Sequence, residues 1–169
     1  QFEDTKSAQL GSYLPTDLGM DPDESVTWVI DPEDYKADVL FVFESGRVAR
    51  VALAGYVTKT NRKRLKNAIY GGSKLLFACV LKEDRDLALV SSDQRLINFN
   101  TSLLKTKTTN STQGVQAFTA KNGRIVTMVG TAEEFLGGTA SVEKFRAASL
   151  PSSGSPMKET DMKSLFDLE

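Results

Sequence analysis

The 169-residue chain (18.5 kDa) contains no histidine and a single cysteine, Cys79. Without histidine there is no Ser-His-Asp or Cys-His catalysis, no histidine metal ligand and no imidazole pH switch. One cysteine allows no internal disulfide and no cysteine-rich zinc site, and it suits a reducing cytoplasm. No apolar run approaches the roughly 18 residues of a membrane span, and no basic-then-apolar leader opens the sequence at Gln1. Helical periodicity is also scarce. Only Asn61–Ala68 and Thr131–Phe135 read as short helices, the second with Thr131 as N-cap and Glu134 three residues on. Length and composition, 40% apolar and 25% charged, suit one soluble domain or slightly more.

Phosphate-loop and calcium-loop spacings are absent. Gly71-Gly72 has no following Gly-Lys, and Asp21-Pro22-Asp23-Glu24 lacks the twelve-residue calcium spacing, so it reads as a solvated loop. Tyr13, Tyr35, Tyr56 and Tyr70 stand in no Arg-Tyr context with acids nearby and read as packing or surface residues. Cys79 lies in an apolar run and reads as an inert thiol. Trp28 and the nine phenylalanines fall mostly in apolar runs and read as core. No catalytic residue, metal or cofactor is expected.

The charges that are present are segregated. The net charge is -1, yet residues 1–44 hold eleven acids and two bases. Residues 45–82 then hold nine bases and no acid, densest at Asn61-Arg62-Lys63-Arg64-Leu65-Lys66. Residues 94–132 hold five bases and again no acid. Acid-free stretches of this kind project a local positive field that attracts a polyanion or an acidic surface.

Strand signals dominate. Val26–Ile30, Leu75–Leu81 and Arg124–Val129 are short β-branched or apolar runs. Asp38–Phe43, the Ser45-Gly46 turn and Val48–Val51 predict a hairpin, and Leu87–Val90, Ser92–Gln94 and Leu96–Phe99 predict another. The two hairpins align without a gap at an offset of 48: Asp38 on Asp86, Phe41 on Leu89, Arg47 on Arg95, Val51 on Phe99. The single strands recur at about the same period. A repeat of this length with strands and almost no helix is the mark of propeller blades. Residues 1–146 are therefore expected to form the β domain. Residues 147–169, with Pro151-Ser152-Ser153-Gly154-Ser155-Pro156, read as an extended tail.

Several stretches carry a family resemblance: Leu40–Val51, Tyr56–Lys63, Leu89–Ser92, Asn98–Thr101 and Asn110–Gln116. In order and period they resemble the C-terminal domain of bacterial type II topoisomerase A subunits (those of DNA gyrase or topoisomerase IV), nearest the Clostridium-like Gram-positive versions. The likeness covers roughly residues 12–130. It implies an all-β propeller or β-pinwheel in which each blade lends a strand to its neighbour, here with a partial set of two to three blades. It also implies binding and bending of duplex DNA on a basic rim. The partners it implies are an ATPase subunit, the remainder of the parent polypeptide and double-stranded DNA, in a cytoplasmic, chromosome-associated location. The fragment itself would carry no catalysis; the parent would be an ATP-dependent isomerase. The glycine- and arginine-rich box of gyrase is not evident: Arg64–Lys74 and Thr112–Val115 match it poorly. A topoisomerase IV-like role is therefore the expectation.

The residues expected to meet DNA phosphates are Lys59, Arg62, Lys63, Arg64, Lys66 and Lys74 on one blade, with Lys105 and Lys107 on the next. The competing reading is a propeller scaffold whose basic stretch binds an acidic protein, with the acidic N-terminal quarter as a candidate intramolecular mate.

Overall fold

Both predicted hairpins form, and they repeat at the expected offset. In the computed structural model, which describes residues 11, 13–60, 64–119, 121, 123–137 and 141–162, β1 (Asp38–Phe43) turns into β2 (Arg47–Ala52). In the same way β4 (Asp86–Ser91) turns into β5 (Arg95–Asn100). Each turn of three residues ends on a left-handed backbone, Gly46 at φ 78° and Gln94 at φ 55°. That conformation sets the twist of a three-residue hairpin. A 3-10 turn follows each second strand, at Leu53–Tyr56 and Thr101–Leu103.

Each hairpin is extended on both sides. β3 (Leu75–Leu81) pairs antiparallel with β1, and β7 (Val126–Gly130) pairs with β4. Both pairings shift register at the same place, Val42/Phe43 and Val90/Ser91. On the other edge β6 (Val115–Gln116) pairs with β2, and β8 (Ser155–Pro156) with β5. The sheet orders are β3-β1-β2-β6 and β7-β4-β5-β8. β6 lies in the chain after the second hairpin but belongs to the first sheet, so a strand crosses back between blades.

The continuous apolar runs have a simple cause: both faces of each sheet are covered. Leu40, Val42 and Val48 of the first sheet meet Leu87, Leu89, Ile97 and Phe99 of the second in one core. The far face of the first sheet (Val39, Phe41, Phe43, Ala49, Val51) packs against Tyr35, Tyr56, Ile69 and Tyr70. The far face of the second (Ala88, Val90, Leu96) is covered by Ala132, Leu136, Phe145 and Met157. Ala132 and Leu136 bracket α2 (Ala132–Phe135), at whose start Thr131 N–H donates to Glu134 Oε2 at 2.8 Å, as the Thr131/Glu134 pattern predicts.

The chain divides into two compact units. One comprises Gln1–Val29 with Thr58–Lys66, the other Ile30–Val57 with Asn67–Glu169. Both sheets lie in the second. The first contains α1 (Leu14–Leu18), closed by Gly19 at φ 60°.

Three expectations are corrected. Val26–Ile30 forms no strand: Val26, Trp28 and Val29 are 44%, 41% and 77% exposed, and they belong to no described sheet. The basic helix is absent over residues 64–68, where Asn67 takes a left-handed φ of 56°; Asn61–Lys63 lie outside the described residues. Residues 147–162 are no tail. Ala147 N–H donates to Asn98 O at 2.7 Å, Thr119 N–H to Ser152 O at 2.8 Å, and Met157 N–H to Gln94 O at 2.9 Å, next to β8.

That last segment repeats an earlier one at an offset of 40. Thr112-Gln113-Gly114 precedes β6 as Ser152-Ser153-Gly154 precedes β8. Both glycines sit at φ +66°, and each donates its N–H to the hydroxyl two residues before, at 3.2 Å. A Cβ on Gly114 would strike the Val48 carbonyl, and one on Gly154 would meet Leu96 O at 3.0 Å. Val48 and Leu96 are themselves one period of 48 apart. The Ser/Thr-x-Gly element therefore lays the incoming strand on each hairpin.

Ion pairs fasten the ends of the sheets. Arg50 bridges Asp38 (2.6 Å) and Asp84 (2.7 Å). Arg124, 12% exposed, pairs with Asp93 at 2.6 Å and lies 5.4 Å from the Phe118 ring centroid. Arg95 donates to the Ser153 and Gly154 carbonyls at 2.9 and 2.6 Å, holding the approach to β8.

Two stability predictions follow from these contacts. Gly114→Ala adds a clash with backbone to the ~1–2 kcal/mol of a left-handed residue. Gly123→Ala, at φ +71° with nothing near, costs only the latter. Urea unfolding should therefore show a larger loss for Gly114→Ala, roughly 2 kcal/mol or more. Acid forms the second test. Hydrogen bonds from Arg124 and Ser91 hold the Asp93 carboxyl below its ordinary range, and those from Asn100 and Arg146 do the same for Asp86. A lowered folded pKa means stability that is present above the ordinary carboxylate range and lost as pH falls through the folded value. The urea midpoint should be flat near neutrality and fall below about pH 4. Asp93→Asn should lower the neutral value slightly and make the acid fall shallower.

Candidate nucleic-acid interface

The basic side chains stand on connections, because strands buried on both faces leave little room for lysine. Lys59, Arg64, Lys66, Lys74, Lys105 and Lys107 are all exposed. Arg62 and Lys63 lie outside the described residues. Lys59, Arg64 and Lys66 belong to the first unit, and Lys74, Lys105 and Lys107 to the second.

Arg64 is engaged. Its guanidinium donates to Glu24 Oε2 at 2.6 Å and to the Gly19 carbonyl, and it lies 3.5 Å from Asp21 Oδ2. Lys82 meets Glu33 at 2.6 Å, and Arg50 meets Asp38. Three bases of the acid-free stretch thus take carboxylates from the acid-rich N-terminal quarter. The Arg64 and Lys82 pairs are exposed, and such pairs contribute only about 0–1 kcal/mol. Among the described residues, no ion pair involves Lys59, Lys66, Lys74, Lys105 or Lys107.

The structure also moves Lys107 to a different blade. Lys107 N–H donates to Arg50 O at 2.8 Å, and Lys107 O accepts from Ala52 N–H at 2.9 Å. Its backbone therefore lies on β2 of the first sheet, on the edge that carries β6, rather than on the second sheet. Lys74 flanks the opposite edge, where Glu44 N–H donates to Lys74 O at 2.9 Å. Three strand spacings, roughly 14 Å, and about five residues along the strand, roughly 17 Å, separate these corners. Lys74 and Lys107 therefore stand at separate corners of the first sheet.

Arg47 and Lys121 complete the inventory at the turn-bearing end. The first hairpin turn is tied there to the start of β7, with Val126 N–H donating to Glu44 O at 2.8 Å. Arg47 is half-buried and Lys121 exposed, with no ion pair among the described residues. Arg47 was legible only as a repeat position.

Tyr35, Tyr56 and Tyr70 pack against the first sheet, whereas Tyr13 is exposed. Tyr56 O–H donates to Ala68 O at 2.7 Å, and burial pushes its pKa up to about 12. Tyr70 stands edge-on to Phe43, with ring centroids 5.4 Å apart. Burial raises the Cys79 thiol against the opposing effect of Arg85, 2.8 Å from its sulfur. A raised thiol pKa leaves little thiolate, so Cys79 is a poor nucleophile.

No protein-family profile and no curated protein matches the sequence. Solved structures do match the fold. The C-terminal domain of DNA topoisomerase IV aligns with a TM-score of 0.64 at 20% identity, over 79% of this chain and 42% of that one. The E. coli ParC C-terminal domain aligns at 0.68 with 13% identity, over 91% and 69%. The DNA gyrase A C-terminal domain aligns at 0.52 with 17% identity, over 76% and 47%. The chain thus spans less than half the length of the topoisomerase IV and gyrase A domains. Among the described residues no helix is long and apolar enough to cross a membrane. Two strand-exchanged, four-stranded antiparallel blades on a shared core are the β-pinwheel architecture of the C-terminal domains of type II topoisomerase A subunits.

Proposed function

We propose that the chain binds the backbone of duplex DNA without reading its sequence, as the accessory C-terminal domain of a type II topoisomerase of the gyrase and topoisomerase IV kind. The observation that carries this is the coincidence of a β-pinwheel fold with exposed bases that no described carboxylate neutralises. Each lysine or arginine that reaches a phosphate releases counterions, and that release supplies most of the affinity. Contacts of this kind position the duplex and do not read bases.

The contact residues are Lys59, Arg62, Lys63, Lys66 and Lys74, together with Lys105 and Lys107; of these, Lys74 and Lys107 lie at opposite corners of the first sheet. Arg64 joins them by exchanging Glu24 and Asp21 for phosphate, which a weak exposed pair permits. Bending a duplex costs a few kcal/mol, so the separated corners act together rather than singly. The breakage–reunion region, the ATPase partner and the ATP-dependent change of DNA topology belong to the parent enzyme in this reading, within a bacterial cytoplasm.

Fluorescence anisotropy with duplex DNA over a salt series tests it. Changing Arg62, Lys63, Arg64 and Lys66 together to Ala should weaken binding to every duplex alike. It should also flatten the slope of log affinity against log salt by about three units. Asp21→Asn with Glu24→Gln should do the reverse, raising affinity by up to roughly fivefold. Unchanged affinity in the quadruple variant overturns the proposal in favour of an acidic protein partner. Loss for one sequence only points to base readout.

A further inference from the structure

We propose, on the DNA-backbone reading above, that of the two blades the first alone engages the duplex. The second takes no phosphate, because its equivalent positions are apolar and its bases are closed by its own carboxylates. The equivalence is fixed by backbone hydrogen bonds that recur between the blades. Glu44 N–H donates to Lys74 O at 2.9 Å, and Ser92 N–H donates to Ile125 O at 2.8 Å. Lys107 N–H donates to Arg50 O at 2.8 Å, and Ala147 N–H donates to Asn98 O at 2.7 Å. Glu44 and Ser92 are one period of 48 apart, as are Arg50 and Asn98. Lys74 and Ile125 therefore hold the same place on successive blades, and so do Lys107 and Ala147. Where the first blade sets a lysine, the second sets an apolar residue, and Ile125 is 39% exposed.

The bases that the second blade does carry are mostly engaged. Thr106 donates its hydroxyl to Asp38 Oδ2 at 2.7 Å on the first blade. Arg146 takes that place on the second, donating to Asp86 Oδ2 at 2.8 Å and lying 3.2 Å from Glu143. Two carboxylates thus meet one guanidinium, and no positive charge is left over. Lys144 meets Asp161 at 2.6 Å and stands 4.8 Å from the Phe145 ring centroid. Asp161 is only 15% exposed and also accepts from Lys158 N–H at 2.9 Å. Drawing Lys144 away would strand a carboxylate that water reaches poorly, which is costly. Arg124 is spent on Asp93.

Lys121 and Lys158 remain on the second blade, exposed and without an ion pair among the described residues. Glu133 and Glu159, on the elements that cover the second sheet, are exposed and equally without an ion pair among the described residues. They offset the two lysines and repel a polyanion. The positive field therefore ends at the boundary between the blades, although the fold continues across it.

Fluorescence anisotropy with one duplex over a salt series, on the full chain, separates the blades. Lys74→Gln, Lys105→Gln and Lys107→Gln together should flatten the slope of log affinity against log salt by roughly 2.7 units, at about 0.9 for each phosphate. Lys121→Gln, Lys144→Gln and Lys158→Gln together remove the same charge and should flatten it by less than about one unit. Ile125→Lys with Ala147→Lys should steepen it by roughly 1.8 units, because the missing contacts are supplied. Urea midpoints establish that each variant is folded, and Ile125→Lys alone, at an exposed position, replaces the pair if the pair unfolds, with half the gain. Equal flattening by the two triple variants overturns the proposal and leaves the DNA-backbone reading intact. A folded lysine graft that leaves the slope unchanged also overturns it, since those positions then do not decide where the duplex lies. Absence of salt-dependent binding in the unaltered chain overturns both.

Discussion

The structure depends on one backbone exchange. β6 leaves the second hairpin and returns to β2, pairing Arg47 with Gln116 and Val48 with Val115. Ala117 and Phe118 then both donate to Gly46 O, at 2.9 and 3.1 Å. β8 does the same for the second sheet. Without these returns each hairpin would be a small sheet with an open edge, and isolated hairpins are marginal in water. With them, Phe118 is locked beside Gly46 and Ile97 and the two blades share one core. The left-handed glycines before each returning strand are the local condition for that exchange, since a side chain there meets the backbone it must approach.

The same exchange explains where the charge is. Strands covered on both faces hold valine, leucine and phenylalanine, so among the described residues no lysine lies in a strand, and the strands' only bases are Arg47 and Arg50 in β2 and Arg95 in β5. The arginines nearest the sheets, Arg50, Arg95 and Arg124, are spent on carboxylates and carbonyls that pin strand ends. Lys59, Lys66, Lys74, Lys105 and Lys107, farther out, make no ion pair among the described residues. An acid-free sequence thus yields two populations of bases, one structural and one available, and burial separates them. The acid-rich N-terminal quarter offsets the second population only through exposed pairs, which a polyanion displaces at little cost.

The hairpins were legible because two features agree there, a continuous apolar run and a turn at a fixed place; Asp38 and Asp86 start both. The helix start at Thr131 was legible because its signal is local. β8 was hidden. A two-residue strand ending in Pro156 has no apolar alternation, and Ser152-Ser153-Gly154 resembles a linker until its backbone is compared with Thr112-Gln113-Gly114. Val26–Ile30 misled for the opposite reason: the strand pattern is there, yet the segment joins neither described sheet. In the candidate interface, the exposure of Lys59, Lys66 and Lys74 follows from their place between strands. The pairing of Arg64 with Glu24, forty residues away, and the return of Lys107 to the first sheet do not, because both depend on how the chain crosses between blades.

The central claim is that strand exchange makes the two blades one cooperative body. Native-state hydrogen exchange across a denaturant series tests it most directly. Amides of Leu40 and Val42 in the first sheet, and of Ala88 and Val90 in the second, should merge onto one opening isotherm with one free energy and one denaturant slope. Two separate isotherms, with one sheet opening while the other stays closed, would contradict the account.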